Sequence, residues 1–242
     1  MVHHPAVRSA ANAPLNTFIV PAPSRADLQR LLERHAPLAP VPLCPEISAH
    51  QAHVLVEVWE AAETIAGRAL PAPFWAYAWP AGCALARVLL DRPELVRDRA
   101  VLDFGAGGGV AALAAAYAGA AVVAANDIDP WALLVTRIAA EAQRLSITTF
   151  DSDLCGTPAL ADDYDVVLCS DLAYERREAP RQRRVLERAI AQGAEVFVAD
   201  AGRPYFDDSG MTLLATYDVD VPEDLEGRAS RVARVYRMGG AV

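Results

Sequence analysis

Apolar residues follow helical spacing in the first third of the chain, and from about residue 80 short strand-like runs alternate with helical stretches. Leu28, Leu31 and Leu32 share one face of a predicted helix that ends near residue 35. A second helix is predicted over 48–66, where apolar residues again recur at intervals of three and four. The opening third is therefore expected to be helical.

The remainder of the chain predicts a doubly wound parallel sheet. Apolar runs predict strands over 100–104, 121–126, 147–150, 165–170, 195–199, 211–220 and 231–238. Amphipathic stretches predict helices over 80–90, 110–118, 130–145 and 180–192. Strands that alternate with helices across short connections form a parallel sheet covered on both faces. The last two strands follow each other directly, which predicts an antiparallel edge.

Proline usage suggests where the main domain begins, since eleven of the 17 prolines lie in the first 80 residues. We predict an N-terminal helical extension over 1–70, with roughly the first 16 residues flexible. A single α/β domain is predicted over 71–242.

Composition excludes several classes of protein. The formal net charge is −9, and all 22 basic side chains are arginine, because the chain has no lysine. A protein with net negative charge does not attract the phosphate groups of nucleic acids or lipids, so nucleic-acid and membrane-surface binding are not expected. The four cysteines form no C-x-x-C pair, and no signal peptide is recognisable, which favours the cytoplasm. His50 and His53 are interpreted as surface histidines on a helix, and no metal site is predicted.

Glycines follow the first strand of the predicted sheet in the pattern D-x-G-x-G-x-G, formed by Asp103, Gly105, Gly107 and Gly109. Glycine is favoured where backbone approaches a ligand closely or adopts positive φ. An acid two residues before the first glycine would repel a pyrophosphate, but it suits a ligand that carries an ammonium group. The alternative is that these glycines form only a tight turn.

Acids also follow the next three strands. Asp127 lies 24 residues after Asp103, where a carboxylate can accept both hydroxyls of a ribose, whereas Asp129 precedes Pro130 as a helix N-cap. Asp153 can accept a hydrogen bond from an exocyclic amine, or is simply a solvated loop acid. Asp171 follows the fourth strand. A cationic ligand with a ribose and an amino-bearing base fits these acids, and S-adenosylmethionine has all three features.

The motifs VLDFGAGGGV, ANDIDP, DLCG and SDLAYE together resemble the class I, seven-stranded S-adenosylmethionine-dependent methyltransferases, whose fold is Rossmann-like. The segments PFWAYAWPAGCALARVLL and DAGRPYF, with the D-x-x-Y of SDLAYE, narrow the resemblance to the electron-transfer-flavoprotein β-subunit lysine methyltransferases. Two positions depart from that family: alanine precedes the glycine in DAGRP, and WPAG has one glycine where two are usual.

The resemblance implies a role for each site residue. The cofactor-binding residues would be Trp79, Asp103, Gly105, Gly107, Asp127, Ile128, Asp153 and Leu154. Asp103 and the two glycines would hold the methionine end, Asp127 the ribose and Ile128 the adenine face. Asp153 and Leu154 would hold the adenine edge, and Trp79 would close the pocket. Asp171 and Tyr174 would be catalytic and line the mouth that admits the acceptor nitrogen. An aromatic cluster that only packs the extension onto the sheet is the alternative for Trp75, Tyr77 and Trp79.

Three functions remain open from the sequence. The first is a methyltransferase that uses S-adenosylmethionine, releases S-adenosylhomocysteine and modifies lysine in a protein such as the electron-transfer-flavoprotein β-subunit. The second is a small-molecule N-methyltransferase on the same fold. The third is a binding protein that keeps the cofactor pocket without catalysis, and the intact D-x-x-Y argues against it.

Overall fold

The computed structural model describes residues 21–156 and 163–239. The predicted flexibility of roughly the first 16 residues falls outside the described part of the chain. The described residues form a two-stranded hairpin and a seven-stranded sheet with helices on both faces.

The N-terminal extension is a helix–hairpin–helix unit, and the prediction of a purely helical extension is wrong. It consists of α1 (Arg25–His35), β1 (Leu38–Val41), β2 (Cys44–His50) and α2 (Leu55–Ala66). Strands β1 and β2 pair antiparallel. The predicted helix over 48–66 is therefore wrong in its first turns and confirmed from Leu55 onward.

The seven-stranded sheet confirms the predicted fold class. Its strands are β3 (Ala100–Phe104), β4 (Val122–Asn126), β5 (Thr148–Phe150), β6 (Val166–Ser170), β7 (Glu195–Asp200), β8 (Met211–Asp220) and β9 (Ser230–Met238). They lie in the order β5-β4-β3-β6-β7-β9-β8. The first five strands in this order are parallel, whereas β9 pairs antiparallel with both β7 and β8. The sheet is thus mostly parallel with the expected antiparallel edge.

Helices cover both faces of this sheet. They are α3 (Pro80–Asp91), α4 (Val110–Tyr117), α5 (Pro130–Ala142), α6 (Ala179–Ala191) and the one-turn α7 (Glu223–Glu226). On one face α3 and α4 share a core with Val101 and Leu168, and on the other α6 packs against Leu102 and Val167. Neighbouring strand residues thus face opposite cores, as the strand period of two requires. None of the helices in the described ranges is long and apolar enough to cross a membrane.

The hairpin forms because tertiary hydrogen bonds outweigh the helical spacing of residues 48–54. The Ser48 main-chain N–H donates to Oε1 of Gln143, and the Ser48 carbonyl accepts from Nε2 of Gln143, each at 2.8 Å. His50 lies on β2 with 8% exposure, and its Nδ1 is 2.9 Å from the Ala36 carbonyl oxygen. The interpretation of His50 as a surface histidine on a helix is wrong, because the hairpin turns its ring inward.

Helix α1 buries the face that the sequence predicts. Ser24 caps it by accepting a hydrogen bond from the Asp27 N–H at 3.1 Å. Leu28, Leu31 and Leu32 pack in one cluster with residues of α2 and α5. The extension therefore shares a core with the sheet-covering helices, and the division into 1–70 and 71–242 stays a prediction.

Replacing Gln143 with alanine tests the connection between hairpin and sheet domain. The change removes both hydrogen bonds to Ser48 and leaves two part-buried main-chain groups without these partners. We expect the free energy of unfolding in urea to fall by about 1–3 kcal/mol. Gln192, exposed at the end of α6, provides the matched control. An equal loss from Gln192→Ala would contradict the role given to Gln143.

Candidate active site

Three strand tips converge at the centre of the sheet. Phe104 of β3 pairs in register with Asn126 of β4 and with Cys169 of β6. The segments that follow these strands therefore leave the same edge side by side. This edge is where ligands bind in open parallel sheets.

The glycine loop after β3 adopts conformations that other residues avoid. Gly105, Gly107 and Gly109 have φ of 70°, 53° and 79°. A Cβ added at Gly105 would lie 2.6 Å from the Leu172 side chain, whereas one at Gly107 would meet nothing within 4 Å. The loop thus packs tightly against the segment after β6 but is open at Gly107. At such a glycine a ligand can approach the main chain closely.

Asp103 lies beneath this loop and is 1% exposed. Its Oδ2 accepts a hydrogen bond at 3.0 Å from the Ala112 N–H, in the first turn of α4, whose N-cap is the side-chain-less Gly109. Burial, with a smaller contribution from the charge of nearby Asp127, raises the pKa of Asp103 to about 7, and the hydrogen bond from Ala112 opposes this rise. A buried carboxyl of this kind favours a positively charged neighbour.

Asp127 ties the tip of β4 to the glycine loop. Its Oδ2 accepts from the Gly107 N–H at 2.8 Å, and its Oδ1 accepts from the Asp129 N–H at 2.9 Å. Burial raises the pKa of Asp127, and these main-chain donors oppose the rise. Each oxygen retains a further lone pair, so the ribose role stays a prediction. Ile128 beside it is 61% exposed.

The structural interpretation of Asp129 is confirmed. It is the N-cap of α5 and accepts a hydrogen bond from the Trp131 N–H at 2.9 Å. Burial raises the pKa of Asp129 to about 6, the Trp131 hydrogen bond opposes this rise, and the charge of Asp127 adds to it.

The loop after β5 carries an exposed acid and a buried leucine. Asp153 accepts from the Cys155 N–H at 2.9 Å, and its other oxygen lies 3.5 Å from an Arg181 nitrogen. Leu154 is 2% exposed, and its carbonyl accepts from Arg188 at 2.8 Å. Arg188 thus fixes the loop, while adenine binding by Asp153 and Leu154 stays a prediction.

Asn126 is a site-forming residue that the sequence analysis missed. Its side chain is buried, and Nδ2 donates to the carbonyls of Phe150 and Ser152, both at 3.0 Å. It therefore holds the loop after β5 against the tip of β4. The available signal was a polar amide at the end of an otherwise apolar strand.

Asp171 follows β6 with an unusual backbone and two engaged oxygens. Its φ is 54°, a left-handed value that is rare outside glycine. Its Oδ2 accepts from the Ala81 N–H in the first turn of α3 at 3.1 Å. Its Oδ1 accepts from Nε of Arg203 at 2.7 Å. The predicted catalytic acid is therefore held in one orientation from two sides.

Tyr174 lies beside an aromatic wall. Its ring centroid is 5.6 Å from that of Phe74, in the 3₁₀ turn Phe74–Ala76. Partial burial, together with the charge of Glu175, raises the pKa of Tyr174 to about 12, although the residue is 42% exposed. The phenol therefore keeps its proton at neutral pH and can donate a hydrogen bond.

The structure separates the tryptophans that the sequence grouped together. Trp75 is buried, stacks on Trp131 of α5 at 6.4 Å and shares a cluster with Leu28 of α1 and Val58 of α2, so it packs the extension onto the domain. Trp79 instead contacts Phe74 and Tyr77 edge-on, and the guanidinium of Arg203 lies 5.1 Å from its ring centroid. Its predicted role in closing the cofactor pocket is untested.

Arg203 and Asp200 were not singled out from the sequence, although DAGRPYF was noted as a motif. Asp200 is 4% exposed at the end of β7, and its Oδ1 accepts from the N–H groups of Gly202 at 2.6 Å and Arg203 at 2.9 Å. This turn aims the Arg203 side chain back across the sheet to Asp171. Within 21–156 and 163–239 no group of three or more His, Cys, Asp or Glu residues is arranged to hold a metal ion.

Comparison with known proteins adds three findings. A family model described as a methyltransferase domain matches residues 101–193. The electron transfer flavoprotein beta subunit lysine methyltransferase of Xenopus laevis is 33% identical over 201 residues, which cover 82% of this chain and 80% of that protein. The Danio rerio protein of the same name is 37% identical over 143 residues, or 58% of this chain, and the match spans only 55% of its length.

Solved structures support the fold. A Pyrococcus horikoshii protein proposed to be an RNA methyltransferase superposes with a TM-score of 0.51 at 18% identity, covering 69% of this chain and 90% of that one. At this identity the likeness shows the fold alone.

Because the pKa of Asp103 is raised, we predict that the affinity for S-adenosylmethionine depends on pH. Binding a cation requires the carboxylate, and below the pKa of about 7 the free protein must first lose a proton. We expect the dissociation constant, measured by calorimetry, to rise about tenfold from pH 7.5 to pH 6. Asp103→Asn keeps an oxygen for the Ala112 N–H and should remove this pH dependence. A wild-type constant that does not change with pH would contradict a role for Asp103 near the cation.

Proposed function

Because the chain belongs to the electron transfer flavoprotein beta subunit lysine methyltransferase family, we propose that it methylates lysine side chains of a protein. S-adenosylmethionine is the methyl donor. The acceptor that we propose is the β-subunit of electron-transfer flavoprotein. The net charge of −9 favours a protein acceptor over a nucleic acid.

The observation that carries this proposal is the contact between the glycine loop and the D-x-x-Y segment. Gly105 has no side chain, and Leu172, between Asp171 and Tyr174, occupies the space where its Cβ would lie. The loop assigned to the cofactor and the segment assigned to the acceptor therefore share one wall. Methyl transfer needs this proximity, because the two reacting atoms must approach in line.

The site residues fit the proposed cofactor. Asp103 is buried and Asp127 is half-buried; the pKa values of both are raised, and a bound cation would stabilise their charged forms. In the proposal Asp103, Gly105 and Gly107 bind the methionine end, and Asp127 binds the ribose. Ile128, Asp153 and Leu154 bind adenine, and Trp79 closes the pocket.

When bound, S-adenosylmethionine supplies a methyl group on a cationic sulfur, which becomes a neutral thioether as the lysine nitrogen takes the methyl. The protein must present that nitrogen as a free amine. With an ordinary lysine pKa of about 10.4, the neutral form at pH 7 costs about 4.6 kcal/mol. Asp171 alone cannot lower this cost by its charge, since a carboxylate stabilises an ammonium.

We therefore assign orientation, not strong base catalysis, to Asp171. Its oxygens are fixed by Ala81 and Arg203, and their remaining lone pairs can align the amine and pass its proton to water. Tyr174, protonated at neutral pH, shapes the channel and donates a hydrogen bond. The Asp171 oxygens thus accept the N–H groups of the amine, and its lone pair stays free to attack the methyl carbon.

We extend the proposal to the cytoplasm. Cys44, Cys83, Cys155 and Cys169 are all free thiols. Free thiols suit a reducing compartment.

The proposal is tested by incubating the protein with methyl-labelled S-adenosylmethionine and an extract of host cells, followed by separation of the label by size. We expect label in protein, on lysine. Because the chain has no lysine, lysine methylation found in the mixture belongs to another protein. Label confined to small molecules would overturn the proposal.

Asp171→Asn tests the assigned role directly. Its single amide oxygen can serve Ala81 or Arg203 but not both, and the carboxylate that orients the amine is lost. We expect turnover to fall by at least about 100-fold, with the S-adenosylmethionine dissociation constant changed by less than about threefold. Thermal melting with and without cofactor confirms that the variant folds.

The matched control is Asp98→Asn. Asp98 is exposed, has φ of 59° and precedes β3 at the opposite end of the sheet. It therefore undergoes the same chemical change in the same backbone region, and activity should be unchanged. Cofactor affinity lost in proportion to turnover in Asp171→Asn would refute the assignment.

A further inference from the structure

Arg203 lies at the proposed acceptor mouth, and its contacts there include an ion pair, a ring contact and a main-chain hydrogen bond. Its Nε donates to Oδ1 of Asp171 at 2.7 Å, its guanidinium lies over Trp79, and its main-chain N–H donates to Asp200 at 2.9 Å. The arginine side chain is 17% exposed and the Asp171 side chain 8%. The Asp171–Arg203 pair is therefore a largely enclosed part of the mouth.

This placement removes both features that would stabilise an ammonium ion. An unpaired Asp171 carboxylate would attract the cation, and so would the open face of Trp79. The same guanidinium pairs with the carboxylate and covers the ring. The wall therefore offers an entering lysine an ion pair of no net charge.

The other titratable groups near Asp171 do not restore a strong negative field. Burial raises the pKa values of Cys83 on α3, Cys169 on β6 and Tyr174 in the same loop, so all three are neutral at pH 7. Asp200 at the end of β7 faces the pair; burial raises its pKa, while hydrogen bonds from the Arg203 and Gly202 N–H groups and the charge of Arg203 oppose the rise. Glu175 lies beyond Tyr174 and is exposed. Arg203 is the cation that pairs directly with Asp171, at 2.7 Å.

We propose that Arg203 is a positioning residue that neutralises Asp171, so that the acceptor lysine is held at the mouth as a free amine rather than as an ammonium ion. This inference rests on the proposed lysine methylation and adds a residue to it. Asp171 supplies orientation, and Arg203 cancels the charge by which Asp171 would otherwise keep the lysine protonated.

The test is the pH dependence of single-turnover methyl transfer to recombinant electron-transfer-flavoprotein β-subunit, with enzyme and S-adenosylmethionine saturating. The rate falls at low pH as the bound amine gains its proton. An opposite charge within about 4–6 Å shifts a pKa by roughly one to three units. In Arg203→Gln the acidic limb of the pH–rate profile, where the rate falls as pH is lowered, should therefore shift to higher pH by at least about one unit. At pH 7 the rate should fall at least about tenfold, and it should recover towards the wild-type rate near pH 9.5.

Two further variants separate charge from shape. Arg203→Lys keeps the positive charge, so the acidic limb of its pH–rate profile should lie at the same pH as in the wild type. Arg237→Gln removes a charge from β9, where Arg237 pairs with Glu195 at the amino end of β7, away from the strand tips. The acidic limb of the pH–rate profile should be unchanged in this control as well. Calorimetric S-adenosylmethionine binding gives a readout independent of catalysis and should be close to wild type in every variant.

Arg203→Met replaces the glutamine variant if that variant fails to bind cofactor, because its apolar stem retains the contact with Trp79. A neutral variant whose rate falls by the same factor at every pH would overturn the inference and leave the proposed function standing. A shift of the acidic limb in Arg203→Lys as large as that in the neutral variant would also overturn the inference. Wild-type protein that transfers no methyl group to protein lysine at any pH would overturn the proposed function itself.

Discussion

The parallel pairing of β3 with β4 and β6 is the constraint on which the rest of the molecule depends. These strands are almost wholly buried, so their register is fixed by apolar packing on both faces of the sheet. Phe104 lies opposite both Asn126 and Cys169. The carboxyl ends of the three strands are therefore level with one another at the same edge of the sheet. The glycine loop, Asp127 and Asp171 become neighbours although they are far apart in sequence.

The acids at this edge of the sheet also accept hydrogen bonds that fix the helices and loops around them. Asp103 accepts from α4, Asp129 caps α5 and Asp171 accepts from α3, while Asp127 and Asp200 hold loops through main-chain N–H groups. These hydrogen bonds offset part of the cost of burying the carboxylates. Burial raises the pKa values of Asp103, Asp127, Asp129 and Asp200, so the offset is incomplete at these four acids. The carboxyl groups are therefore fixed in position before a cationic ligand arrives, which reduces the cost of organising the site on binding.

The sequence predicted those parts of the molecule that depend on local pattern. The strands from residue 100 onward and the helices between them are close to the predicted bounds, because buried apolar runs and capping residues such as Asp129 act within a few positions. The hairpin at 38–50 was not predicted, since it depends on Gln143 nearly a hundred residues away. Asn126 escaped notice because its amide acts on a loop beyond the next strand.

The candidate site shows the same limit. The D-x-G-x-G-x-G and D-x-x-Y motifs located the glycine loop and the acid after β6. The Asp171–Arg203 ion pair joins residues 32 positions apart and becomes visible only when the turn after β7 folds back over Trp79. Whether an acid has a charged partner decides its chemistry, and sequence spacing alone does not report it.

Peptide mapping by mass spectrometry is the most direct test of the account. Purified electron-transfer-flavoprotein β-subunit would be incubated with this protein and S-adenosylmethionine, and its lysines examined for added methyl groups. The account predicts methylation of lysine side chains that depends on both enzyme and cofactor. An unmodified β-subunit, from a reaction in which the protein binds S-adenosylmethionine normally, would contradict it.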